Sequence, residues 1–247
     1  MRYFIEISYK GTDFHGWQIQ PNAISIQETI QKGLQTLLGE KIDIVGAGRT
    51  DTGVHARQIF AHFDTTKNIN EKDFAYRLNA IIPISIFIKK IVKVTDKAHA
   101  RFDAQSRSYE YHIHLVNNPF TTETTWQIPR RSFDVELMNK AALLLLKYTD
   151  FKAFSKSKTD VKTYECTVSK AVWLQNENKL IFHITANRFL RNMVRAIVGS
   201  LLEVGSGKTN LEDFEKIIIN KDRSLAGVSV PAKGLFLTEV IYPNSIF

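Results

Sequence analysis

The chain has 247 residues, enough for one large domain or two small ones, and either can bury a core. Its apolar and aromatic fractions are globular, and a net charge of +8 suits a polyanionic partner without proving one. A lone Cys166 excludes an intrachain disulfide framework and a Cys-rich zinc site; with no signal-peptide core and no run of membrane-spanning length, a soluble cytoplasmic protein is expected.

In chain order, Tyr3, Ile5, Ile7 and Tyr9 alternate with Phe4, Glu6 and Ser8, which predicts a first strand. Ser25 and Glu28 have capping-box spacing, and Ile26, Ile30, Leu34, Leu37 and Leu38 mark one face of the helix behind them. A strand-like run from Ile42 to Val45 enters the segment GRTDTGVHA, residues 48–56, and an alternating run from Gln58 to Phe63 leaves it. Asn70 opens a second helix with Phe74, Leu78 and Ile81 inward, stopping before Pro83. Strands are expected at Ile86 to Val94 and Ser108 to Leu115, followed by an irregular excursion over 119–131.

The second half repeats this grammar. Asp134 is placed to cap a helix carrying Leu137, Met138, Ala141, Ala142 and Leu145. Strands near Thr167 to Leu174 and Leu180 to Ala186 flank a Gln-Asn-Glu-Asn-Lys turn. A long helix is expected from about Leu190 to Val204, a shorter one from Leu211 to Ile219, and a last strand from Leu235 to Ile241. The strands and helices lack regular βαβ spacing, so the expected class is α+β: two similar halves, 1–105 and 106–247, sharing a mainly antiparallel sheet with helices packed on it, and a cleft between them for the site.

The segment around Asp51 sets one carboxylate between two glycines and two hydroxyl residues, with Arg49 two positions before it. Loops held between strands display catalytic groups well, because the backbone is supported yet open to solvent. A strand-connecting turn whose Asp bonds its own backbone reads the same residues without chemistry. Two distant segments offer partners. Tyr109 and Tyr111 share one strand face, so one can pack inside while the other meets a ligand, although both suit plain sheet packing. Arg188, Arg191 and Arg195 are spaced three and four apart, which on a helix makes a basic stripe; it serves a ligand or a solvated face. An arginine beside Asp51 would favour the charged carboxylate.

Other signals fail. Gly205-Ser206-Gly207-Lys208-Thr209 resembles the end of a phosphate loop, but Leu202 stands where a glycine is needed and the segment ends a helix; a helix C-terminal turn at Gly205 is expected instead. Gly46-Ala47-Gly48 is too short for a dinucleotide fingerprint, and His112 and His114 have no third ligand arranged near them. Neither metal nor nucleotide cofactor is expected. Lys152, Lys156, Lys158 and Lys162 lie in a polar stretch interleaved with Phe151 and Phe154, and Arg130-Arg131 forms another basic spot; a solvated surface explains any one of these, and their company with the arginine stripe favours a nucleic-acid phosphate backbone as partner.

Five ordered blocks resemble the tRNA pseudouridine synthase A family over almost the whole chain: YKGTDFHGWQIQP with SIQETIQKGL, GRTDTGVHA, RFDAQSRSYEYHI, FLRNMVRAIVGSLLEVG and RSLAGVSVPAKGLFLTEVIYP. The resemblance implies that Asp51 is the catalytic aspartate and Arg195 the basic residue paired with it. It implies that Tyr109 stacks on the target uracil and assists proton removal from C5, and that Arg49 helps displace the target nucleotide. It further implies an isomerase acting on uridines 38, 39 and 40 of the tRNA anticodon stem-loop, without cofactor, as a homodimer. Gly227-Val228-Ser229-Val230-Pro231 departs from the family's more usual Gly-Pro-Thr-Ala-Pro, and Arg191 occupies a variable position and is not carried over. A non-catalytic RNA-binding module would need the basic surface without the Asp51–Arg195 pair, and a metal-dependent phosphoryl-transfer enzyme would need clustered acids.

Overall fold

A computed structural model describes residues 1–157 and 161–247, among which nine strands and five α-helices form two compact units of α+β architecture with mainly antiparallel pairing. Lys158, expected in the basic stretch, lies outside the described residues.

The first unit comprises 1–105 together with 236–247. Strand β1 (Arg2–Tyr9) lies between β3 (His55–Asp64) and β4 (Ile86–Val94), antiparallel to both, and β2 (Ile44–Gly46) lies antiparallel to β3. The last strand, β9 (Leu235–Ile241), joins β3 in parallel through His55–Phe236 and Ala56–Leu237. This pairing is why the chain's final residues, grouped by sequence with the second half, belong to the first unit. Helix α1 (Ile26–Leu38) starts where the Ser25 hydroxyl accepts the Glu28 N–H, and α2 (Glu71–Ile81) where Asn70 does the same for Asp73. Ile81 does not face inward: it is 48% exposed at the last turn of α2.

Both faces of β1 are covered, against the single buried face that its alternation suggests. Tyr3, Ile5 and Ile7 are buried on one side; on the other, Phe4 packs with Phe60, Tyr242 and Phe247, a cluster that exists only because the C-terminal tail returns here. Glu6, on that second side, is buried but accepts from Gln58 Nε2 at 3.0 Å and lies within 4 Å of Lys89 and Lys90.

The second unit comprises 106–235. Strand β8 (Lys179–Ala186) lies antiparallel between β5 (Ser106–His114) and β7 (Val168–Asn176), and short β6 (Trp126–Gln127) joins β5 in parallel. The turn between β7 and β8 is tighter than the five residues expected: only Glu177 and Asn178 lie outside the ladder, with Glu177 at φ 50°. Helix α3 (Val135–Leu144), capped by Asp134, packs on β7 and on the helices α4 (Met193–Gly205) and α5 (Leu211–Asn220). Phe151 and Phe154 belong to the core of this unit and are fully buried, so they are not stacking platforms among the exposed lysines 152, 156 and 162.

Helix α4 begins at Met193 rather than near Leu190, because Asn192 takes a left-handed backbone, φ 67°, that ends any continuous helix there. Arg188 and Arg191 therefore lie on the preceding loop, and the three-arginine helical stripe does not form. Gly205 is no turn residue either. It packs inside α4, where a Cβ would come within 2.4 Å of Met138 Sδ, and the positive φ that ends the helix falls on Gly207.

Candidate active site

Eight residues, 47–54, connect β2 to β3 and carry Arg49 and Asp51. The loop is held by the segment from Gly11 to Trp17. Thr50 is buried; its Oγ1 lies 2.8 Å from the Tyr9 hydroxyl, and its carbonyl accepts the Trp17 N–H at 3.1 Å. The Gly53 N–H donates to Phe14 O at 3.4 Å, and Gly11 N–H donates to His55 Nδ1 at 3.0 Å, so that ring nitrogen carries no proton. His55 is 1% exposed and stacks on Phe236 with centroids 4.7 Å apart.

Two glycines make this approach possible. A Cβ on Gly16, whose φ is 85°, would lie 2.4 Å from Thr50 O and 3.1 Å from Asp51 C; one on Gly11 would lie 2.0 Å from Val54 O. Asp51 itself opens a turn closed by Val54 N–H to Asp51 O at 3.1 Å, with Gly53 at φ 76° in third position, as a type II turn requires. The outcome is a part-exposed carboxylate between a buried neighbour before it and a closed turn after it, with Arg49 exposed two residues upstream.

In the second unit the two tyrosines on β5 separate in role. Tyr111 is fully buried, its hydroxyl donates to Pro231 O at 2.8 Å, and burial pushes the phenol well above its ordinary range, with the Arg195 charge opposing. Tyr109, one step along the same face, stays part-exposed, with its ring edge-on to Phe189 at 5.0 Å between centroids.

Arg195 is the third residue of α4. A cation there sits at the positive end of the helix dipole, in a first turn without acidic residues, which is locally unfavourable. Its guanidinium is held nonetheless: Nε donates to Val230 O at 2.7 Å, while Val230 N–H donates to Arg195 O at 3.2 Å. A local rule broken and then compensated is a mark of functional positions. Residues 226–231 reach α4 through another glycine contact, since a Cβ on Gly199 would meet Val228 O at 2.0 Å.

The departure from the usual family block is absorbed here. Val228, in place of proline, is 83% exposed. Ser229 keeps the hydroxyl that a threonine would bring, taking Asn192 Nδ2 at 2.6 Å and Arg223 at 2.9 Å. Elsewhere, Glu110 engages His112 at 2.8 Å and lies 3.5 Å from His183, and His114 meets Thr121 at 3.2 Å. Among the described residues no group of three or more His, Cys, Asp or Glu side chains is arranged to hold a metal ion, and no helix is long and apolar enough to cross a membrane.

A family model described as tRNA pseudouridine synthase matches residues 141–243. A tRNA pseudouridine synthase A of Parabacteroides distasonis is 49% identical over 247 residues, covering 100% of this chain and 98% of that protein. The chain belongs to the tRNA pseudouridine synthase A family. The protein of that name from Bacteroides fragilis is 50% identical over 248 residues, and the one from Bacillus licheniformis is 41% identical with 99% of this chain covered. As a member of this family the chain is an isomerase.

Family membership extends over blocks to which sequence reasoning assigned no task. Tyr9, Gly11, Gly16 and Trp17 clamp the Asp51 loop, Val230 bonds Arg195, and Arg223 bonds Ser229 in the same stretch. The available signal was two glycines, two and seven residues after an ordinary strand, and Gly227 in the closing block. What each glycine faces comes from segments tens of residues away.

Proposed function

We propose that this enzyme isomerises uridine to pseudouridine at positions 38, 39 and 40 of the tRNA anticodon stem-loop, with Asp51 as its catalytic residue. The reaction breaks the C1′–N1 glycosidic bond, turns the uracil, joins C1′ to C5 and releases the C5 proton to the new N1 position by way of solvent or a base. It conserves atoms and oxidation state, so its chemistry calls for no cofactor. A carboxylate serves such a reaction by attacking C1′, by attacking C6, or by taking a sugar proton to give a glycal. Asp51 is assigned this role, Arg195 that of its cationic counterpart, Tyr109 that of stacking on the uracil, and Arg49 that of helping the nucleotide out of its stack. The enzyme works on tRNA as a homodimer in the same proposal.

The observation that carries the reading is the state of Asp51: it is the part-exposed carboxylate of a loop whose flanking residues are locked by Tyr9, Phe14 and Trp17. Gly11 and Gly16 admit backbone within van der Waals distance of this loop, which fixes how Asp51 is displayed. Tyr109 suits the stacking role because Tyr111, its neighbour on the same face, is spent in the core. Extruding a base from its stack costs a few kcal/mol, and stacking on an aromatic ring returns roughly 1–3 kcal/mol of it.

The test is incubation with unmodified tRNA and mapping of pseudouridine at single-nucleotide resolution, with Asp51→Asn alongside. The wild type should modify 38–40, and Asn, nearly isosteric but neither nucleophile nor base, should lower the rate by roughly three orders of magnitude or more with tRNA affinity retained. Modification outside the anticodon arm would overturn the substrate assignment; a near-normal rate with Asn would overturn the role of Asp51.

A further inference from the structure

Residues 226–231 have no regular secondary structure, so their backbone groups must find partners elsewhere. Arg223 supplies three contacts. Its Nη1 donates to Ala226 O at 3.1 Å and to Gly227 O at 3.2 Å, and its Nη2 donates to Ser229 Oγ at 2.9 Å. The same stretch is tied to α4 by Gly227 N–H to Ser200 Oγ at 2.8 Å and by the reciprocal pair between Val230 and Arg195. Arg223 is itself set by a turn, in which Ala226 N–H donates to Arg223 O at 3.3 Å and Ser224 N–H to the Asp222 carboxylate at 2.8 Å. That last contact holds Asp222 below the usual carboxylate range.

We propose that Arg223 is a positioning residue for Arg195: by fixing residues 226–229 it sets Val230 O, the acceptor that orients the Arg195 guanidinium. Arg223 touches no reacting atom in this scheme. Its planar fork matches three acceptors spread over four residues, a geometry that a lysine ammonium on a flexible stem reproduces only in part. The chain of contacts is continuous from Arg223 through Ser229 and Val230 to Arg195 Nε. A shift of about 1 Å in a catalytic group costs on the order of a hundredfold in rate, so a modest loosening of this stretch is measurable. The inference rests on the role given to Arg195 above.

The experiment is a double-mutant cycle with single-turnover rates at saturating enzyme, tRNA affinity and hydrogen exchange of the Arg195 Nε–H. Arg223→Ala should lower the rate about ten- to a hundredfold, leave tRNA affinity within about twofold and speed exchange at Arg195 Nε–H; Arg223→Lys should recover part of the rate. In an Arg195→Lys background, which cannot present the Nε donor, the same Arg223→Ala change should cost less than about threefold, since coupled residues are not additive. Ser229→Ala, which removes one link and leaves the arginine in place, should give a smaller loss in the same direction and keeps the test usable if Arg223→Ala folds poorly. Equal costs in the two backgrounds, or unchanged Nε–H exchange, would overturn the inference alone. A wild-type rate for Arg195→Met, which removes the cation, would overturn the assigned role of Arg195, and the inference with it.

Discussion

Around Asp51, backbone is held mainly by backbone. Thr50 and Gly53 bond directly to Trp17 and Phe14, and Gly11 and Gly16 bring the two segments so close that a single methyl group has nowhere to go. Around Arg195 one backbone bond, Val230 to Arg195, and the close approach at Gly199 are joined by many side chains: Arg223, Asn192, Ser200 and Arg195 itself reach out to a loop without regular secondary structure. The two devices respond differently to change. A backbone clamp leaves no intermediate states, because an added Cβ must move the main chain. A side-chain clamp is graded, since each link can be shortened or removed separately. Rigid display of a single carboxylate suits the first device, and adjustable aim of a long cation suits the second.

That contrast can be broken most forcefully at Gly16. Gly16→Ala adds a Cβ 2.4 Å from Thr50 O at a φ of 85°, and should cost roughly 3 kcal/mol or more of stability together with most of the activity. Chemical denaturation and single-turnover assays check both, and an alanine variant of wild-type stability would deny that the clamp is backbone-limited.

Acid is the next lever on the first unit. His62 is 5% exposed, with Nδ1 accepting the Ala100 N–H at 3.1 Å, and burial, the largest cause, pulls its pKa from 6.5 down to about 4. The neutral ring is therefore favoured in the folded state. Its contribution is fully present above about pH 6.5 and is lost as pH falls toward about 4, by up to about 3 kcal/mol. His62→Asn, which offers an acceptor that does not titrate, should flatten stability against pH in that window; a slope unchanged in the variant would assign the acid sensitivity elsewhere.

In the second unit Tyr109→Leu should lose about 1–3 kcal/mol of stacking with the target base, whereas Tyr109→Phe keeps the ring and isolates the hydroxyl. Rates and tRNA affinities for the pair separate stacking from proton transfer, and normal activity in both would return Tyr109 to sheet packing. The smallest effect is expected at Tyr9→Phe. It removes the 2.8 Å contact to Thr50 Oγ1 and should cost about 1 kcal/mol with little change in rate, because the backbone bonds of the clamp remain. A large loss of activity there would mean that the Asp51 loop, too, is aimed by a side chain.

How far the residues alone carried the reading depended on the range of the interaction involved. Helix caps at Ser25, Asn70 and Asp134 were legible because a cap is a contact over three residues. The start of α4 was misjudged because Leu190, Met193 and Val194 continue a helical spacing across Asn192, whose left-handed backbone no periodicity reveals. Phe151 and Phe154 were misread for a similar reason: two aromatics among lysines look like a binding surface until the core that receives them, including Phe214, is known.

By itself the sequence determined the α+β class, the order of elements and, through five motif blocks, the family. These follow from local periodicity, short-range caps and residue identity, which survive without coordinates. Tertiary structure alone decided that Tyr111 packs inside while Tyr109 stays part-exposed, that the closing strand belongs with the first unit, that Gly16 meets the Thr50 backbone and that Arg223 bonds residues 226–229. In each case the deciding partner lies far along the chain, and which groups meet is set by packing and by the need of buried backbone to find hydrogen bonds.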